Sequence, residues 1–289
     1  MKVKAAAKIN LLLDVLGILP DGYHSLSMVM QSVDCCDTVT VDKTNTGNIV
    51  LESADHRMPL DEHNIAYKAA ACFFKETKIE NTGVHIAIEK QIPMAAGLAG
   101  GSADGAAVLY ALNLLFETNL SIWELARIGE KIGADVPFSL VGGTALAMDK
   151  GGVLAPLPPL HDCYFVLCKP KQDVSTVGAY KLVDESYCIR HADNMGMLYA
   201  MRNSDFDTMC QKAQNIFEQV IEVPERPHIK ATMRDCGASL AMMSGSGPTV
   251  YGLFKKRADA VRCVKKLKES YAEVFLAAPL SSGIEVLER

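Results

Sequence analysis

Pro93-Met94-Ala95-Ala96-Gly97-Leu98-Ala99-Gly100-Gly101-Ser102-Ala103-Asp104-Gly105 lies between an alternating apolar stretch and a helical one, and its reading decides the fold. Glycine and alanine let a backbone approach a ligand closely, and successive N–H groups with the helix start near Ser102 make a cradle for phosphate. A glycine-rich turn packed on a neighbouring element accounts for the glycine content equally well. Spacing removes the familiar alternatives. There is no GxxxxGK[ST], the glycines at 97, 100, 101 and 105 do not fit GxGxxG, Asp104 breaks GxSxG, and no HExxH occurs. What remains is a nucleotide site of another loop type.

Outward from the loop, Val84, Ile86 and Ile88 alternate as one face of a strand, and Ile65, Ala69, Cys72 and Phe73 place a helix over about 64–77. Downstream, a helix is expected from Ser102 to Phe116, and Ser121-Ile122-Trp123-Glu124 has the spacing of a capping box. The first ninety residues otherwise read as strands, around Ile9–Val15, Val39–Val41 and Ile49–Leu51. Pro156, Pro158 and Pro159 form a stiff segment with few backbone donors, which places a domain boundary at 157/158. Beyond it, strands at 164–168, 239–243, 249–254 and 273–277 alternate with helices near 174–185, 204–221, 226–236 and a basic helix after 255, a split β-α-β pattern. The fold class is α+β, with domains 1–157 and 158–289.

The chain has 289 residues, 49% of them apolar, enough for two cores and too many for a disordered tail. Lys+Arg number 29 against 34 Asp+Glu, a net charge of -5, so no general basic field exists to hold nucleic acid. The basic run Lys255 to Lys268 has helical spacing and reads as a solvated face. Nine cysteines without a CxxC pair suit free thiols in a reducing compartment. The apolar run Ile9–Leu19 is interrupted by Asn10 and Asp14, and Met94–Phe116 carries Ser102, Asp104 and Asn113, so neither a signal peptide nor a membrane span is expected. The expected location is the cytoplasm.

The loop resembles the ATP-binding motif of the GHMP kinases (galactokinase, homoserine kinase, mevalonate kinase, phosphomevalonate kinase). Ala7-Lys8-Ile9-Asn10-Leu11 and Ser244-Gly245-Ser246-Gly247-Pro248 strengthen the match. The stretch from Ala7 to His24, with Ile132-Gly-Ala-Asp135-Val-Pro-Phe138, is similar to the branch that phosphorylates 4-diphosphocytidyl-2-C-methyl-D-erythritol. The resemblance covers nearly the whole chain. It implies a two-domain GHMP kinase fold with the active site in the cleft between domains, ATP as co-substrate with Mg²⁺, and a step of non-mevalonate isoprenoid synthesis. Another small-molecule kinase of the superfamily, or a non-catalytic sensor of the same fold, is the alternative. The Pro20-Asp-Gly-Tyr-His24 segment speaks against the first, and Lys8 together with Asp135 against the second.

Individual residues carry two readings each. Lys8 in an apolar strand needs a carboxylate to offset its desolvation, or reaches water along its stem. Asp135 ends a helix or caps a turn before Pro137; the resemblance instead makes it the acceptor of the substrate's hydroxyl proton, paired with Lys8. By resemblance, Tyr23 and Tyr180 wall a cytosine, His24 hydrogen-bonds its edge, and Asn10 and Thr176 meet the polyol or diphosphate. Asn64 and Lys90 fall where the resembling kinases surround adenosine; without it they read as a helix cap and a strand-end charge. The loop from Pro93 to Asp104 would hold the phosphates, with Ser102 towards the β-phosphate or Mg²⁺. Many members have Ser-Asn where this chain has Ala103-Asp104, and a carboxylate there repels phosphate unless it faces the adenine amino group or the metal.

Overall fold

The alternation near the N-terminus belongs to two strands much longer than the sequence outlines. In the computed structural model, which describes residues 1–80 and 82–288, β1 runs Lys2–Ile18 and β2 His24–Lys43. They pair antiparallel along their length, with register shifts at Ala6/Ala7, Asn10/Leu12 and Val15/Gly17. β1 is buried without a break from Ala5 to Val15, so Lys8, Asn10 and Asp14 are polar groups inside a packed layer. Each needs a partner there.

The chain continues through β3 (Ile49–Ser53), α1 (Ile65–Thr77), β4 (Val84–Glu89), α2 (Gly100–Leu115), α3 (Ile122–Glu130), α4 (Val136–Val141), β5 (Thr144–Asp149) and β6 (Val153–Pro156). β2 divides its two halves between neighbours: Thr38–Lys43 pairs with β4, and Leu26–Gln31 with β5. α2 lies against β1, with α1 beside it. Its first two turns are small residues apart from Asp104, and a Cβ on Gly105 would stand 2.7 Å from Ile65 Cγ2. Gly105 therefore serves the close crossing of α1 and α2. The expected capping box is formed: Glu124 N–H donates to Ser121 Oγ, and Ser121 N–H to Glu124 Oε2.

The second half holds β7 (Tyr164–Lys169), α5 (Thr176–Asp184), α6 (Asn194–Arg202), α7 (Phe206–Lys212), β8 (Gln214–Asn215), α8 (Arg226–Asp235), β9 (Leu240–Met243), β10 (Val250–Phe254), α9 (Arg257–Lys268), β11 (Glu273–Ala277) and β12 (Ile284–Glu288). β11-β7-β10-β9 form an antiparallel sheet covered by α8 and α9. The single helix expected over 204–221 is instead α7, the short strand β8 and a 3-10 turn at Ile216–Gln219. The break follows from Asn215, which caps Phe217 N–H and donates to Met243 and Gly245 carbonyls, drawing the chain into β8 beside Leu12 and Leu13 of β1.

The first sheet has eight strands and includes β8 and β12, both from the second half of the chain. We propose the division 1–157 and 158–289 as one between sheets in which these two strands cross back. The prolines from 156 to 159 lie on the passage from β6 to β7. Among the described residues no helix is long and apolar enough to cross a membrane.

Candidate active site

The outer edge of β1 decides what meets Lys8. Lys2–Ala5 pair with β12, Leu12–Leu13 with β8, and between them the Lys8 N–H donates to Leu98 O at 3.1 Å. The glycine-rich loop thus docks on the strand edge at the lysine itself. Tyr251 Oη donates to Asn10 O at 3.0 Å, tying the second sheet to the same edge.

Lys8 is 5% exposed, and its ammonium donates to Asn10 Oδ1 at 2.8 Å and lies 3.7 Å from Asp135 Oδ2. Asp135 is the residue before α4, in a position that normally caps, yet it makes no cap bond. The second helical residue is Pro137, which has no N–H to give, so the carboxylate remains free to face Lys8. Asn10 is fully buried beneath the lysine with its Nδ2 unpartnered. It does not line the cleft, so what it does there is hold the ammonium.

Lys8 and Asp135 open into a cleft of about 690 Å³, walled on one side by the loop and α2, on the other by α5 and the Gly245–Ser246 turn. Ala95, Gly97 and Ala99 all have φ between 49° and 74°, which turns the loop sharply. Gly97 has no room for a side chain: a Cβ would stand 2.3 Å from Ser244 O, and Ser244 Oγ donates to Gly97 O at 3.0 Å. The Ser244–Pro248 motif is therefore a buttress behind the loop. α2 begins after Ala99 with no side-chain cap, and its first residues Gly100, Gly101 and Ser102 line the cleft, where the helix dipole favours an anion. Leu98 and Ala103 point into the core instead, each 1% exposed.

Lys90 lines the cleft, but its ammonium is already engaged by two buried carboxyl groups. Its ammonium is bound to Asp37 Oδ2 and, at 2.7 Å, to Asp104 Oδ2, in a pocket where all three side chains are buried. Asp37 also accepts the N–H groups of Gln91 at 2.5 Å and Ile92 at 2.8 Å. These three side chains clamp the loop at both ends, Lys90–Ile92 at its entry and Asp104 at its exit. Burial pushes the Asp104 carboxyl up to about 8, with Asp37 adding to it and Lys90 opposing. Burial works against the Lys90 charge as well, but the two carboxylates outweigh it and raise its pKa. Asp104 Oδ1 is buried without a partner. Asn64 caps α1, accepting from Ala66 N–H at 2.8 Å and donating to Pro59 O at 2.7 Å, while still forming part of the cleft wall.

At the other end, Tyr23 is 63% exposed with the Lys150 ammonium 4.5 Å over its ring, and Lys150 is paired with Asp21. Tyr180 does not stand as a bare wall. His24 stacks on it with centroids 4.4 Å apart, and Phe217 meets it edge-on at 5.1 Å. Thr176 Oγ1 is 2.9 Å from Ser246 Oγ. Lys150, Phe217, Asp37 and Asp184 are residues of this site that the sequence reading missed. Lys150 sits in the turn closed by the Gly151 N–H donating to Met148 O at 3.0 Å, a cation that nothing in the local sequence distinguishes from a surface charge.

The GHMP kinases N terminal domain model matches residues 64–143, and the GHMP kinases C terminal model residues 197–273. The chain is 43% identical over 287 residues to the 4-diphosphocytidyl-2-C-methyl-D-erythritol kinase of Clostridium perfringens, covering 98% of this chain and 99% of that one. It is 44% identical over 283 residues to the enzyme of the same name from Exiguobacterium sibiricum, at 97% and 98% coverage. Among solved structures, a 4-(cytidine 5'-diphospho)-2C-methyl-D-erythritol kinase superposes with a TM-score of 0.76 at 28% identity, over 96% of this chain and 99% of that one. Homoserine kinase from Cytophaga hutchinsonii superposes with a TM-score of 0.81 at 20% identity, over 99% and 97% of the two chains, a likeness of fold.

Proposed function

The chain belongs to the GHMP kinases, and within them to the 4-diphosphocytidyl-2-C-methyl-D-erythritol kinases, and from that premise we infer how its cleft works. The reaction moves the γ-phosphoryl group of ATP onto the C2 hydroxyl of 4-diphosphocytidyl-2-C-methyl-D-erythritol, a step of non-mevalonate isoprenoid synthesis. One observation carries the assignment of roles: the Lys8–Asp135 pair lies in the same cleft as the uncapped start of α2. A tertiary alcohol is a poor nucleophile at neutral pH. In a loose transition state its proton leaves late, so an ordinary carboxylate suffices as acceptor. Asp135 takes that proton. Lys8, fixed by Asn10, orients the carboxylate and offsets the negative charge developing on the oxygen.

The amides from Ala99 to Ser102 hold the ATP phosphates, and Asn64 and the Lys90 wall border the adenosine. Ser102, whose hydroxyl has no partner among the described residues, is a hard oxygen donor suited to Mg²⁺ brought in on the nucleotide. Held beside Ser102, such an ion would supply charge neutralisation to the phosphoryl group being transferred. Tyr23, His24, Thr176 and Tyr180 form the cytidyl end, where Lys150 supplies a cation for the diphosphate. The acidic net charge and free thiols support a cytoplasmic protein that does not bind nucleic acid. A coupled ADP-release assay tests the reading: turnover is expected with the cytidyl substrate and absent with homoserine and mevalonate. Equal turnover of mevalonate would sink it.

A further inference from the structure

His24 opens β2 and borders the cleft, and its ring is held from two directions. Tyr180 fixes its plane, at 21° between rings, and Asp184 at the end of α5 fixes its orientation, with Oδ1 2.9 Å from Nε2. Asp184 comes from the other half of the chain, 160 residues away, so the contact also spans the cleft mouth. No other described group hydrogen-bonds to either ring nitrogen. An ionised carboxylate can only accept, so the proton of a neutral imidazole beside it resides on Nε2. The remaining nitrogen, Nδ1, is then a lone-pair acceptor.

We propose that Asp184 is a positioning residue that selects the Nε2–H form of His24, so that Nδ1 offers an acceptor which reads the 4-amino group of a cytosine. The proposal rests on the cleft being a cytidyl site and deepens that reading. Cytosine carries an N–H donor at C4, whereas uracil carries a carbonyl oxygen at the same place. Against Nδ1 the first makes a hydrogen bond and the second sets lone pair against lone pair, so one atom separates the two bases. The other tautomer would reverse the preference, because Nδ1–H donates to a carbonyl. Tyr180 then acts on the base through His24, as the surface on which the imidazole lies, and the base meets an imidazole edge backed by two further aromatic rings.

Two measurements test this. Long-range ¹H–¹⁵N correlation spectra of the ligand-free protein near pH 8, with His24 assigned from its loss in His24→Gln, report which ring nitrogen carries the proton. The expected pattern is protonated Nε2 and bare Nδ1 in the wild type, and a mixture in Asp184→Leu. Asp184→Glu should restore the wild-type pattern. In parallel, kcat/KM is measured with ATP and either the cytidyl substrate or its uridyl analogue. Asp184→Leu should reduce the cytidyl preference on the order of tenfold, the size of one hydrogen bond, with the loss in KM and the change reversed by Asp184→Glu. A wild-type His24 protonated at Nδ1, or an unchanged cytidyl preference in Asp184→Leu, overturns the proposal. A lower KM for both substrates in Asp184→Leu also overturns it, because His24 would then be an obstacle that Asp184 holds in place. A wild type that turns over neither substrate instead removes the cytidyl reading itself, and the spectra still decide the tautomer.

Discussion

Lys8 and Asp135 stand 127 residues apart in sequence; an ammonium inside an apolar strand has to find a carboxylate, and the family resemblance names Asp135 as that partner. The structure supplies that partner at 3.7 Å and adds Asn10 at 2.8 Å, which no sequence pattern announces. Asp135→Asn is expected to lower kcat roughly 100-fold or more with KM for ATP little changed, and Lys8→Met to act non-additively with it, as measured by a double-mutant cycle. The Asp37–Lys90–Asp104 cluster was not legible, because buried charges distant in sequence leave no periodic trace. It yields a pH prediction. An unfolded aspartate titrates near 3.8, whereas Asp104 in the fold is pushed up to about 8. The protonated form is thus favoured by folding, so the stability Asp104 contributes is complete below the lower value and is lost as pH rises through the upper one. Asp104→Asn removes this dependence. Its melting temperature relative to wild type should rise between about pH 5 and pH 9, and a constant difference across that range would mean that the carboxyl titrates normally.

The loop shows which elements a sequence can outline. Its glycines announced a close backbone approach, but they could not say what approaches. Gly97 faces Ser244 of a strand-end turn, Gly105 faces Ile65 of the neighbouring helix, and Gly101 alone of these is exposed towards the cleft. Separate outcomes follow for each. Gly97→Ala puts a Cβ 2.3 Å from a backbone oxygen at a φ of +74°, so both thermal stability and ATP affinity should fall. At Gly101 a Cβ meets only Ile65 Cδ1 at 3.4 Å, so Gly101→Val should keep its melting temperature. In the proposed phosphate cradle its branched side chain would block the amides, so ATP affinity by calorimetry should drop by about tenfold or more. Unaltered affinity in that folded variant would put the phosphates elsewhere. The expected helix over 204–221 failed for a related reason: its apolar spacing suited a helix, but Asn215 makes long-range bonds to Met243 and Gly245 that local pattern cannot contain.

At the scale of the molecule, the two sheets were legible as two runs of strands, whereas the return of the chain to its own beginning was not. β12 follows the second sheet in sequence yet pairs with β1, because edge pairing is settled by tertiary partners. This return bears on the chemistry. Gly283, just before β12, gives its carbonyl to Ala6 N–H at 2.9 Å, two residues from Lys8. The same glycine lies against α4, the helix that begins after Asp135: a Cβ there would stand 1.9 Å from Ser139 O, and one on Gly142 1.8 Å from Gly283 N. Two backbones touch at this point, and no rotamer change can make room. Gly283→Ala must therefore push α4 away from β1, which separates the helix holding Asp135 from the strand holding Lys8. The expected cost is about 1–3 kcal/mol in stability, and kcat should fall although the residue lies outside the cleft. Thermal melts and kcat measured well below the transition separate the two effects. A lower melting temperature with wild-type kcat would show that the C-terminal strand supports the sheet without setting the Lys8–Asp135 distance.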